Sequence, residues 1–169
     1  LDREYEKKRD LETLRQHYME SIPIIREQFL VGLVEGRADQ EQLQRNSGLG
    51  QLDLDAWGYT VGLFRLEPKE LEAIKEELFS DHNIALVPTT LRQMTDETLP
   101  SYAKVSSFYY GDTVGIVANL YKKEDIFKLV EGMDLICKNM KKVYGLTVTG
   151  GIGTICHAPL ELRYSRKEA

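Results

Sequence analysis

The 169-residue chain is poor in the residues that staple or anchor small proteins. Its two cysteines, Cys137 and Cys156, are too few and too far apart for a disulfide framework or a metal knuckle. Both lie in apolar surroundings and read as reduced core or near-core residues of a cytoplasmic protein. The three histidines, His17, His82 and His157, are scattered without ligand spacing, so no metal site and no cofactor is expected. No apolar run approaches the ~20 residues of a membrane span and no secretory leader stands out, which points away from the membrane and towards the cytoplasm. An excess of positive charge is lacking too. Lys and Arg total 22 against 27 Asp and Glu, a net charge of −5, which argues against direct nucleic-acid binding by this stretch.

What remains is ordinary core material, 42% apolar and 29% charged, enough for one domain and an appendage. Because the chain begins at Leu1 and stops at "SRKEA" in a helical pattern, it is expected to be a piece of a longer protein. Residues 1–36 read as a linker and dimerisation helix. Leu11, Leu14, Tyr18, Ile22, Ile25, Phe29 and Leu33 fall at steps of 3, 4, 4, 3, 4 and 4, the 11-residue repeat of a nearly straight helical seam. Pro23 predicts a kink or a restart near Ser21, and Gly36 is placed to end the helix. Residues 37–56 read as a short helix, capped by Asp39 with Gln42 three residues on, and a loop.

From residue 57 to 169 the pattern is that of an α+β domain. "WGYTVGLFRL" is a strand, and Pro68 opens a helix whose face is Leu71, Ile74 and Leu78. Between 81 and 100, "NIALV" suits a strand while "PTTLRQMTDETL" suits a helix. "SSFYYGDTVGIVANLY" is a hairpin, roughly 102–110 and 113–121, turning at Gly111-Asp112. A helix over 124–143 follows, with Ile126, Leu129, Val130, Met133, Cys137 and Met140 as its apolar face and Gly145 as its stop. "LTVTGGIG" is a last strand and Pro159 starts a last helix. The order strand, helix, strand, strand, helix, strand predicts a ferredoxin-like βαββαβ sheet with helices on one face.

The hairpin "SFYYGDTVGIVANL" resembles the "RYGGDEF"-bearing hairpin of diguanylate cyclases, and "LTVTGGIGTICHAPLELRYSRKEA" is similar to the strand, loop and helix that close that fold. The closer resemblance is to the degenerate GGDEF-like domain between the receiver and helix-turn-helix domains of AraC-type two-component response regulators. It covers most of residues 20 to 169. An active cyclase holds two divalent cations on carboxylates. Carried over residue by residue, Arg65 stands at the first metal-binding Asp, with Glu67 two residues on. Tyr110, Gly111, Asp112, Thr113 and Val114 stand where the family has Gly-Gly-Asp-Glu-Phe. One glycine and the glutamate are replaced.

The resemblance therefore implies a non-catalytic signalling and dimerisation module, relaying the state of a receiver to a DNA-binding domain outside this stretch. No catalytic residue is expected. A small-ligand or nucleotide sensor on the same fold is the alternative, with Arg65, Gly111, Asp112 and the Gly150–Gly153 strand end as candidates; an active cyclase comes last. Gly151-Ile152-Gly153 also opens like a dinucleotide fingerprint, but Cys156 stands at the third glycine, so these glycines read as a close approach between a strand end and a helix. A homodimer is expected through Leu11, Leu14, Tyr18 and Ile22, with Ile25 to Leu33 free to dock on the domain and Pro23 at the joint between the two parts.

Overall fold

In the computed structural model, which describes residues 2–67 and 81–169, the strands are Gly58–Leu66 (β1), Lys104–Tyr110 (β2), Thr113–Leu120 (β3) and Val148–Ile152 (β4). They form one antiparallel sheet in the order β2-β3-β1-β4. The helices are Asp2–Glu35 (α1), Gln40–Asn46 (α2), Asp81–Thr98 (α3), Asp125–Tyr144 (α4) and Leu162–Glu168 (α5). Residues 81–98 are thus helical throughout, with Pro88 inside the helix, and "NIALV" is not a strand. The face of Leu71, Ile74 and Leu78 lies outside the described residues.

The sheet is covered on both faces, not on one as the βαββαβ pattern suggested. Phe29, Leu30, Leu33 and Val34 of α1 join Leu43, Tyr59, Val61, Leu63, Phe108 and Leu162 in one core. Leu91 of α3 and Leu129, Met133, Ile136 and Met140 of α4 join Phe64, Ile116, Ala118 and Leu120 in the other. Two-sided cover explains why β1 and β3 each carry seven buried residues in succession where a half-exposed strand would alternate. On α4, Ile136 is buried and Val130 is 49% exposed, so the seam runs a little off the predicted face.

Asp39 caps α2 by a reciprocal capping box: its carboxylate accepts the Gln42 N–H at 2.8 Å, and Gln42 returns a bond to the Asp39 N–H. α1 ends at Gly36 (φ 79°) and α4 at Gly145 (φ 69°), as expected. Pro23, however, does not restart α1, which is helical from Asp2 to Glu35. Proline deprives only the Met19 carbonyl of its helical partner, and Met19 is 62% exposed, where water satisfies it.

A loop after α2 is pinned to the sheet by side chains. Buried Asn119 accepts the Asp53 N–H at 2.8 Å and donates to the carbonyls of Gln51 (3.1 Å) and Lys104 (3.2 Å). Ser106 donates to the Gly50 carbonyl at 2.5 Å, and Arg26 Nε to the Leu49 carbonyl at 2.6 Å. The outer edge of β2 is occupied by an ion pair. Glu27 accepts the Tyr109 N–H at 2.5 Å, Arg92 donates to the Ser107 carbonyl at 3.2 Å, and Arg92 and Glu27 bind each other bidentately at 2.9 and 3.2 Å.

Among the groups that hold their protons unusually well are the core residues Cys156 and Tyr59 and the exposed Tyr121. Burial and then the Glu161 charge push the Cys156 thiol up to about 11. Desolvation, and then the hydrogen bond to Asp53, push the Tyr121 phenol up to about 12. Tyr59 is raised by burial first and the Asp53 charge second. Each native group binds its proton more tightly than the unfolded chain does, so each contributes stability below its ordinary value that is lost as pH rises towards its folded value. Thermal midpoints should therefore fall progressively from about pH 9, the ordinary thiol range, to about pH 12. Tyr121→Phe should make the upper part of that fall shallower.

Candidate functional site

The turn residues Gly111 and Asp112 connect the Tyr110–Thr113 pair that closes the β2–β3 hairpin. Gly111 has φ +60° and Asp112 is not at positive φ, the pattern of a type II′ turn, whose first central position favours glycine. Nothing lies within 4 Å of a Cβ built at Gly111, so the backbone angle, not crowding, calls for glycine there. The β1–β3 ladder ends at Leu63–Gly115, and beyond it the Thr113 hydroxyl donates to the Phe64 carbonyl.

A cleft of about 560 Å³ opens at this end of the sheet, lined by Arg65 and Leu66 of β1, Tyr110 to Thr113 of the hairpin, and Glu35 of α1. The structure thus brings together the three predicted ligand residues, Arg65, Gly111 and Asp112. Glu67 does not join them; its backbone N–H donates to the Thr147 carbonyl at 3.2 Å. The Gly150–Gly153 strand end is elsewhere. A Cβ on Gly153 would overlap the Ser165 carbonyl of α5, and one on Gly151 would come within 2.8 Å of Ala169, so these glycines serve the close approach of strand end and helix.

Two residues of the cleft region were not foreseen. Glu35, the last residue of α1, supplies a wall, and its carboxylate pairs with Arg37 at 2.7 Å. Arg166 of α5 donates from Nε to the Val34 carbonyl at 3.1 Å and from Nη1 to the Tyr110 hydroxyl at 3.0 Å. One guanidinium therefore ties the end of α1 to the hairpin. Nothing in the sequence flags either contact, because both depend on where α1 and α5 land on the sheet.

The charged groups of the cleft are the Glu35 and Asp112 carboxylates and the Arg65 guanidinium. A guanidinium is a permanent cation and repels a second one placed beside it, so this donor set does not suit two divalent ions. Among the described residues, no group of three or more His, Cys, Asp or Glu is arranged to hold a metal. His157 meets the Trp57 carbonyl through Nδ1 at 2.8 Å and stacks edge-on to its ring, which is a packing role.

Along α1 the apolar seam divides. Leu11, Leu14 and Tyr18 are 64, 65 and 58% exposed, Ile22 and Ile25 are half-buried, and Phe29 and Leu33 are buried. No helix among the described residues is long and apolar enough to cross a membrane. No protein-family model matches the chain, and no curated protein matches it.

Proposed function

We propose that the chain is a non-catalytic signalling and dimerisation module on a ferredoxin-like, degenerate GGDEF-like fold, belonging to a two-component transcription regulator. In this reading α1 carries the state of a receiver into the domain, and a DNA-binding part outside this stretch receives it. The antiparallel order β2-β3-β1-β4, with helical residues between β1 and β2 and between β3 and β4, supports the fold assignment. Arg65 and Thr113, at positions where a cyclase keeps metal-binding carboxylates, support the lack of catalysis. The observation that carries the relay is at the end of α1. Glu35 lines the cleft, and Arg166 bonds both to the neighbouring Val34 carbonyl and to Tyr110, so displacement of α1 is felt at the hairpin.

Dimerisation follows from the exposed seam. An isolated helix of the length of residues 2–21 is marginal in water, and burying Leu11, Leu14 and Tyr18 against the same helix of a second copy stabilises it. In sedimentation the unaltered chain should be a dimer at high micromolar concentration. Replacing Leu14 and Tyr18 together by Glu should yield a folded monomer with unchanged sheet content. A monomeric unaltered chain would overturn the pairing. Incubation with GTP and Mg²⁺ or Mn²⁺ should give no cyclic dinucleotide above a no-protein control, and robust turnover would overturn the non-catalytic reading. The alternative, a ligand sensor, draws on the size of the cleft, and a nucleotide that raised the melting temperature of the unaltered chain but not of Arg65→Ala would favour it.

A further inference from the structure

A second cavity, of about 290 Å³, lies along the β2 edge of the sheet, between β2, α1, α3 and the pinned loop. Its volume is at the lower end of small-molecule pockets. Its walls are mainly polar, with Pro100 and Val105 among them, and most of the polar groups are already spoken for. Arg92 uses Nε on the Ser107 hydroxyl and both Nη atoms on Glu27. The Ser107 hydroxyl donates to Asp96 Oδ1 at 2.5 Å, and Ser106 donates to the Gly50 carbonyl. These bonds fix the frame.

Among the described residues three lining side chains keep free valences, the Gln51 amide and the two charged groups Arg26 and Asp96. Arg26 engages only its Nε, on Leu49, which orients the guanidinium and leaves four N–H donors on its Nη atoms. Asp96 uses only Oδ1, which leaves Oδ2 as an acceptor. The cavity therefore offers one unpaired cation with a planar fork, suited to a carboxylate, and one unpaired anion, suited to an ammonium group. A purely anionic ligand would meet Asp96, and a purely cationic one would meet Arg26. We propose that this cavity is a binding site for a small zwitterion, an α-amino acid or close analogue, with its carboxylate on Arg26 and its ammonium on Asp96.

The proposal is independent of the relay reading, since it holds whether or not α1 pairs with a second copy. It can be tested on the unaltered chain by thermal shift with each standard L-amino acid, followed by calorimetry on the best one. Each amino acid is run beside its deaminated acid and its decarboxylated amine. At least one amino acid should raise the melting temperature, and its acid and amine partners should not. Arg26→Met should weaken its binding about tenfold or more, the loss of a charge-assisted pair. Asp96→Asn keeps an acceptor for Ser107 and so the fold, and it should bring the affinities for the amino acid and its deaminated acid together. If no amino acid shifts the unaltered chain, or if the acid or amine binds as well as the zwitterion, the proposal fails. If Asp96→Asn leaves the preference for the zwitterion unchanged, it fails as well.

Discussion

Gly153→Ala should destabilise the fold by about 3–5 kcal/mol, a cost far outside that of ordinary surface changes. Gly153 follows β4, where its N–H donates to the Val61 carbonyl at 2.9 Å and its carbonyl accepts from the Thr60 hydroxyl at 2.9 Å. Ser165 of α5 sits on the same spot and accepts the Val61 N–H at 3.0 Å. An added Cβ would overlap the Ser165 carbonyl oxygen and come within 2.5 Å of the Ser165 hydroxyl. The carbonyl is backbone and cannot rotate away, so α5 has to lift. With it goes the burial of Leu162 and the Arg166 bonds to Val34 and Tyr110. Urea unfolding measures the loss. In a chain shortened to end at Glu161 the clash has no partner, and the same substitution should cost little; an equal cost there would place the effect in the sheet and not in the helix.

The second large effect is expected at Asn119. Asn119→Leu fills nearly the same space but leaves the Asp53 N–H and the Gln51 and Lys104 carbonyls without their side-chain partner. Unmet groups of this kind cost about 1–3 kcal/mol each when water cannot reach them. Gln51 is exposed, so water recovers part of the loss, and about 2–4 kcal/mol is the expected total. Asn119→Asp makes a sharper test. Its carboxylate would face the Gln51 and Lys104 carbonyl oxygens, which disfavours the charged form and raises its folded-state pKa. The deficit should then be small in acid and deepen as pH rises above the ordinary carboxyl range. A deficit independent of pH would mean that the loop simply moves off the sheet.

How much of this could be read from the residues depends on how local the cause is. The β2–β3 hairpin was legible because Gly111-Asp112 fixes its turn chemistry within two residues. The capping box of α2 and the glycine ends of α1 and α4 are local in the same sense. At α3, "NIALV" carries β-branched residues and Pro88 follows at once, so propensity left strand and helix open where the chain continues as helix. The α4 seam was off by one position because Val130 and Ile136 lie at the two borders of one stripe, and only the sheet decides which is covered. The docking of the Ile25–Leu33 part of α1 was expected, but not that it would cover the second face of the sheet. The clue to that cover was the unbroken burial-type runs of β1 and β3, which suit a sheet enclosed on both sides. Arg65, Gly111 and Asp112 were expected at one site because the resemblance to the cyclase hairpin implies it, not because any local pattern joins them. Glu35 and Arg166 were not, since they reach the cleft through the docking of α1 and α5.

The ion pair on the edge of β2 has a consequence for how the sheet behaves among many copies. Side by side, Glu27 and Arg92 occupy the Tyr109 N–H and the Ser107 carbonyl, two groups through which a foreign strand would begin to pair. They act as a stopper on a template, and half of that stopper is delivered by α1. Loss of α1 by proteolytic cleavage would strip Glu27 from the edge and open β2, with Val105, Phe108, Tyr109 and Tyr110, to strand addition. A chain starting after Arg37 should accordingly form thioflavin-positive assemblies under conditions in which the intact chain stays clear, and Glu27→Ala should sit between the two.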